Sequence, residues 1–205
     1  MLTKPRKRQQ GVTLLELMIT VVIGGVLLAV AVPQLTAWVQ RNSVSTAAEI
    51  VQNGLRQAEA EAIRRNARVE FLLTSSTPAK SGIGKLAASL NGKNWAVRVL
   101  DSSMTPLADD NLAYVNAFSM SELSPGVTIE GPASVVFSGT GRVSDIKGVA
   151  ITAYQVFRLT REGADRAICV FVTPGGAVKA CDPSLSSGAP FACQPLVSLS
   201  QCPKV

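Results

Sequence analysis

The sequence predicts an α+β fold in which one long N-terminal helix packs on antiparallel β-sheet. Three observations predict it. Residues 12–32 form a run of 21 residues that is apolar except for one ionised side chain, Glu16, and two threonines. Apolar residues then keep approximate helical spacing to about Asn66, at Leu35, Val39, Ala47, Ile50, Leu55, Ala58 and Ala62. Beyond that, short β-type runs alternate with glycine and proline turns.

The apolar run comes first. At about 1.5 Å per residue it reaches about 31 Å, enough to cross a bilayer's hydrocarbon core. Lys4, Arg6, Lys7 and Arg8 precede it and fix the N-terminal end in the cytoplasm. Everything after Pro33 is then expected outside the inner membrane, as a periplasmic head on a single span. The next stretch, residues 34–66, reads as the amphipathic half of the same helix. Its stripe is rich in alanine, which suits close packing against a sheet.

Residues 67–205 read as the β-rich part of the head. A first strand is expected at Val69–Leu72, followed by a polar loop over 74–93. Further strands are expected at Asn94–Leu100, Val127–Glu130, Ser134–Ser138, Val149–Leu159, Ala167–Thr173 and Gly176–Cys181. Pro125-Gly126, Gly139-Thr140-Gly141 and Pro174-Gly175-Gly176 punctuate them.

Composition narrows the function. The formal charge is +6, but without the four cations before the apolar run 16 basic side chains face 14 acidic ones. The folded part is nearly neutral. Absence of histidine excludes Ser-His and Cys-His catalysis and His-ligated metals. No carboxylate pair for acid–base work stands out, so neither an enzyme nor a cofactor is expected. Gly139-Thr140-Gly141-Arg142 lacks the Lys-Ser/Thr of a phosphate-binding loop and reads as a hairpin turn. Asp109-Asp110-Asn111 lacks calcium-loop spacing and reads as solvated loop.

Cys169, Cys181, Cys193 and Cys202 fall within the last 37 residues and form no C-x-x-C pair. A metal site is therefore not expected. Two disulfides in an oxidising compartment are. Four cysteines permit three pairings. A three-residue turn at 174–176 sets Cys169 opposite Cys181 on a hairpin, so the reading joins Cys169 to Cys181 and Cys193 to Cys202.

Three readings of the N-terminus compete. The run could be a simple signal anchor, or a secretory signal cut after Ala29-Val30-Ala31 to release a soluble periplasmic protein. Glu16 argues against the latter, because a carboxylate in an apolar region hinders insertion without benefit. The third reading rests on Gly11-Val12-Thr13-Leu14-Leu15-Glu16. This segment resembles the type IV prepilin signature, although position 12 is Val where the family most often has Phe. The resemblance implies that a prepilin peptidase cuts between Gly11 and Val12 and methylates Val12. It also implies a leader of residues 1–11 and a filament-core segment over 12–33. An intramembrane carboxylate is a functional-site hypothesis in its own right. In the family, Glu16 would meet the N-terminal ammonium of a neighbouring subunit and fix its register.

A second resemblance lies at Ala58-Glu59-Ala60-Glu61-Ala62-Ile63-Arg64-Arg65-Asn66 before Val69-Glu70-Phe71-Leu72. It is similar to the helix end and first strand of the group holding the H-type pseudopilin of type II secretion and the minor pilins FimT and FimU. The implied function is that of a minor pilin or pseudopilin that helps start or cap a type IV pilus or a type II secretion pseudopilus. Its implied partners are prepilin peptidase, the major pilin, other minor subunits and inner-membrane lipid. Some FimT-type pilins bind DNA through a Gly-Arg-x-Arg stretch. Here the matching Gly176-Ala177-Val178-Lys179 lacks both arginines. Arg64, Arg65, Arg68 and Lys179 are the candidate DNA contacts of that alternative.

Overall fold

From Val44 to Ala62 one side of the helix carries little but alanine and valine, and that side is buried. In the computed structural model, which describes residues 12–120 and 124–205, helix α1 spans Leu14–Arg65. The chain divides into two compact units, Met1–Trp38 and Val39–Val205. In the first, the large apolar side chains of residues 12–32 are between 50% and 78% exposed.

In the second unit the helix buries Val44, Ala47, Ala48, Val51, Leu55, Ala58 and Ala62. Leu35 and Val39, expected in this stripe, are exposed, and Ile50 is half-buried. At about 100° per residue, Val39 points roughly 130° from the centre of the buried arc. Helical spacing alone blurs such differences. The helix ends where Asn66 turns left-handed (φ 48°). There Asn66 N–H donates to the Ile63 carbonyl and Ala67 N–H to the Ala62 carbonyl, the two bonds of a Schellman cap.

The remaining chain forms two antiparallel sheets. The first comprises β1 (Arg68–Thr74), β2 (Asn94–Leu100), β3 (Tyr114–Phe118), β5 (Ser134–Phe137) and β6 (Val143–Ser144), in the order β3-β2-β1-β5-β6. The second comprises β4 (Val127–Glu130), β7 (Gln155–Arg161), β8 (Ile168–Val172) and β9 (Val178–Cys181), in the order β4-β7-β8-β9. Gly131-Pro132 interrupts the run between β4 and β5 and passes the chain from one sheet to the other. The expected strand at 149–159 begins only at Gln155. Ahead of it, Asp145 Oδ1 accepts the amides of Lys147 and Val149, and Ile151 N–H reaches the Val143 carbonyl. Strand β3, half-buried along its length, was not expected from the sequence.

The main core lies between the helix and the two sheets. Phe71 joins them: its ring stacks on Trp95 at 5.4 Å and meets Phe157 of the second sheet edge-on at 5.6 Å. Trp95 in turn lies against helix residue Gly54, where a Cβ would come within 2.7 Å of the indole ring.

Each sheet also has a covered outer face. On the first, Glu70 and Arg98 stand opposite each other and pair at 2.7 Å, with Glu70 only 1% exposed. Arg98 also donates to the carbonyls of Ile83, Gly84 and Leu86. It thereby straps the 75–93 loop, with its 3-10 turn Ile83–Lys85, over Leu72 and Ala96. The Asp110 carboxylate, on helix α2 (Asp110–Ala113), accepts the Gly82 and Gly84 amides, which hold it below the usual carboxylate range.

Two outcomes are expected. Gly54→Ala, a gain of about 1 kcal/mol at an open helix site, should instead destabilise the head by roughly 1–3 kcal/mol through overpacking on Trp95, read by denaturant melting. Arg98→Ala leaves Glu70 buried and unpaired and should cost about 3–5 kcal/mol. It should also open Lys80, Lys85 and Lys93 to trypsin. The double variant Glu70→Leu/Arg98→Met should recover much of the stability but not the loop protection.

Candidate functional site

At the start of α1, Thr13 Oγ1 accepts the Glu16 amide at 3.2 Å and the Thr13 carbonyl accepts the Leu17 amide at 3.1 Å. Thr13 is thus the N-cap, and Glu16 takes the third helical position, as in a Thr-x-x-Glu capping box. The helix dipole is positive there and favours a carboxylate. Glu16 is exposed, flanked by Leu14, Leu15 and Leu17, and has no ion-pair partner among the described residues. Thr20 is satisfied internally by the Leu17 carbonyl. The face is therefore apolar with one unmatched carboxylate, a surface suited to association with other apolar helices. Gly11, the expected cleavage site, lies outside the described residues; Val12 is exposed.

The candidate DNA contacts are largely committed to the fold. Arg64 and Arg65 both grip Glu61, and the Arg64 hydrogen bond above all holds that carboxyl below its ordinary range. Arg65 further donates to the Leu112 carbonyl, and Arg68 to the Ser102 carbonyl. Lys179 stands exposed on β9, in the other sheet. No hydrogen-bonded cluster among the described residues joins the four. Asp109 caps α2 by accepting the Asn111 amide.

The cysteines correct an expectation. Cys169 and Cys181 do face each other across β8 and β9, as the turn implies. They are nevertheless bonded elsewhere: Cys169 to Cys202 and Cys181 to Cys193. The reason is the segment beyond β9. It crosses the outer face of the second sheet, so each strand cysteine reaches out of the sheet to it. The four sulfurs, Phe171 and Val197 form a small second core, with Tyr154 and Val156 packed against it. Asp182, beside it, is pushed up by burial, but the Ser184 hydroxyl and amide and Arg166 bring it below its ordinary value. Spacing could give the hairpin register, but not what covers the hairpin.

Residues 47–176, well over half of the chain, match the sequence profile of the type II transport protein GspH. The chain belongs to the GspH family. Residues 6–32 match the prokaryotic N-terminal methylation motif, so the GspH-type head follows a segment bearing a second, independent signature. Among solved structures, the type IV minor pilin FimU of Pseudomonas aeruginosa (strain PAO1), in space group P21, shares the fold. It has 16% identity and a TM-score of 0.50 over 76% of this chain and 98% of that one. The minor pseudopilin EpsH from the Type 2 Secretion System of Vibrio cholerae aligns at 12% identity and a TM-score of 0.45, over 70% and 99%. A search of curated protein sequences finds no match.

Non-reducing peptide mapping checks the pairing in this GspH-family head. Chymotrypsin can cut after Phe191 and Leu199, which separates Cys181, Cys193 and Cys202. Cys169–Cys202 and Cys181–Cys193 adducts are expected. Removing either bond should cost about 2–5 kcal/mol.

Proposed function

We propose that the chain is a minor pilin or pseudopilin subunit, a structural rather than catalytic member of a small complex that starts or caps a type IV pilus or type II secretion pseudopilus. One coincidence of position carries the reading. The methylation motif, the apolar run and the first helical turn with Glu16 fall together within residues 6–32, ahead of a GspH-type head. In this reading prepilin peptidase removes residues 1–11 and methylates Val12. Residues 12–33 then span the inner membrane and later form filament core. Residues 34–66 carry the helix into the periplasmic head, whose β-rich part is 67–205.

The physical logic centres on charge. Cleavage sets an ammonium at Val12, beside the positive end of the helix dipole, so two like charges adjoin there. Glu16 of an adjacent subunit, brought in among apolar helices, neutralises them. It does so at only one axial offset, which is the register role best attested for buried pairs. Binding of DNA and release by signal peptidase are not favoured. Arg64 and Arg65 are occupied by Glu61, and the methylation motif covers the stretch where signal peptidase would cut.

The mature protein should begin at methylated Val12 on N-terminal sequencing, and a bulky residue in place of Gly11 should leave the precursor uncut. Glu16→Ala should insert and be processed, yet lose co-purification with the other pilins by about a hundredfold or more, the equivalent of roughly 3–5 kcal/mol. A mature start at Val32, or normal incorporation of Glu16→Ala at native expression, would overturn the proposal.

A further inference from the structure

The second unit carries a cleft of about 190 Å³ where the helix, the second sheet and the disulfide-bonded segment meet. Its floor is apolar: Ala48 from the helix and Ile168 from β8, each 3% exposed, with Ala180 of β9 beside them. Phe191 and Glu49 also line it, as does Arg166, whose charge is matched by Asp182 at 2.7 Å. Neither Phe191 nor Glu49 is explained by the stability of the head.

Phe191 is 50% exposed, so its ring buries little of itself. Its backbone nevertheless adopts φ 72°, a conformation costly for a bulky side chain. The surroundings enforce it. The Phe191 carbonyl accepts the Asp182 amide at 2.8 Å, Ala192 bridges to Asp182, and Cys193 is bonded to Cys181. The Asp182 carboxylate is itself held by Arg166 at 2.7 Å. A strained aromatic is thus clamped at the mouth of an apolar cleft. Opposite, Glu49 is exposed and has no ion-pair partner among the described residues.

We propose that this cleft receives an apolar side chain flanked by a lysine or arginine from the head of a different subunit. The inference rests on the reading of the chain as a pilin-type subunit, and names the surface through which its head engages a neighbour. The volume suits one leucine, methionine or aromatic side chain. Phe191 closes over it and Glu49 takes the adjacent cation. A second copy of this chain fits poorly. Two copies meeting face to face would set Glu49 against Glu49, and a head-to-tail contact between copies would propagate an open filament instead of starting or capping one.

The test uses the full chain, expressed in its own envelope with the other pilin subunits of its assembly. A photo-crosslinking residue replaces Gln52, which lines the cleft. A heteroadduct with another pilin-type subunit is expected. Phe191→Gly relieves the strained backbone, because glycine adopts positive φ freely. It should leave the melting temperature unchanged or higher while cutting the adduct at least about tenfold, as loss of an interface anchor does. Glu49→Lys should cut it similarly, with a compensating acidic substitution on the partner restoring it. Unchanged adduct in both variants, or an adduct with a second copy, with lipid or with an exported protein, overturns the cleft assignment. If the wild type is processed and co-purifies with other pilins but gives no adduct at position 52, the cleft is wrong while the subunit reading stands. A wild type left uncut and co-purifying with no pilin defeats both.

Discussion

The close approach of Trp95 to Gly54 sets the spacing on which the rest of the head depends. A helix surface of alanine and valine with one leucine, and a glycine at the contact point, lets the first sheet come in until an indole ring touches helix backbone. Phe71 and Phe157 then carry the contact across to the second sheet. Larger helix residues would hold the sheets apart and leave the aromatic bridge unfilled, and dense interiors tolerate such gaps poorly. The same helix presents leucines, isoleucines and valines outward over residues 12–32. The helix therefore has one stretch that builds a core and one whose large apolar side chains stay exposed.

Much of this was legible in the sequence. The helix over Leu14–Arg65 follows from a sustained apolar period and from Asn66, which readily takes the left-handed cap. Strands β2 and β4 fall on their expected residues because alternation and turn residues agree there. Less legible was anything depending on what covers a face. Glu70 and Arg98 look like stray charges in two apolar strands, yet that pattern, one charge amid each run, was the available sign of a buried cross-strand pair. Strand β3 leaves little trace in the sequence because Tyr114–Phe118 is half-buried throughout and does not alternate cleanly.

The candidate site divides in the same way. The methylation motif and the Thr13–Glu16 cap are legible because both are local, a pattern and a hydrogen bond within a few residues. The cysteine pairing is not, because it depends on the path of a 20-residue segment with little regular structure across β8 and β9. Phe191 gave no sequence signal at all. Only its backbone conformation and its position at the mouth of a cleft distinguish it.

The two outer covers are fastened by different chemistry. The loop over the first sheet is held by an ion pair and hydrogen bonds that form in any neutral aqueous compartment. The segment over the second sheet is held by hydrogen bonds too, from Arg158 to the Pro203 and Lys204 carbonyls, but also by two sulfur–sulfur bonds, each of which needs an electron acceptor to form. The head therefore has a half that closes wherever it folds and a half that is covalently locked only where oxidants are available. Without an oxidant, the cover over Phe171 and Val156 would rest on non-covalent contacts such as those hydrogen bonds alone.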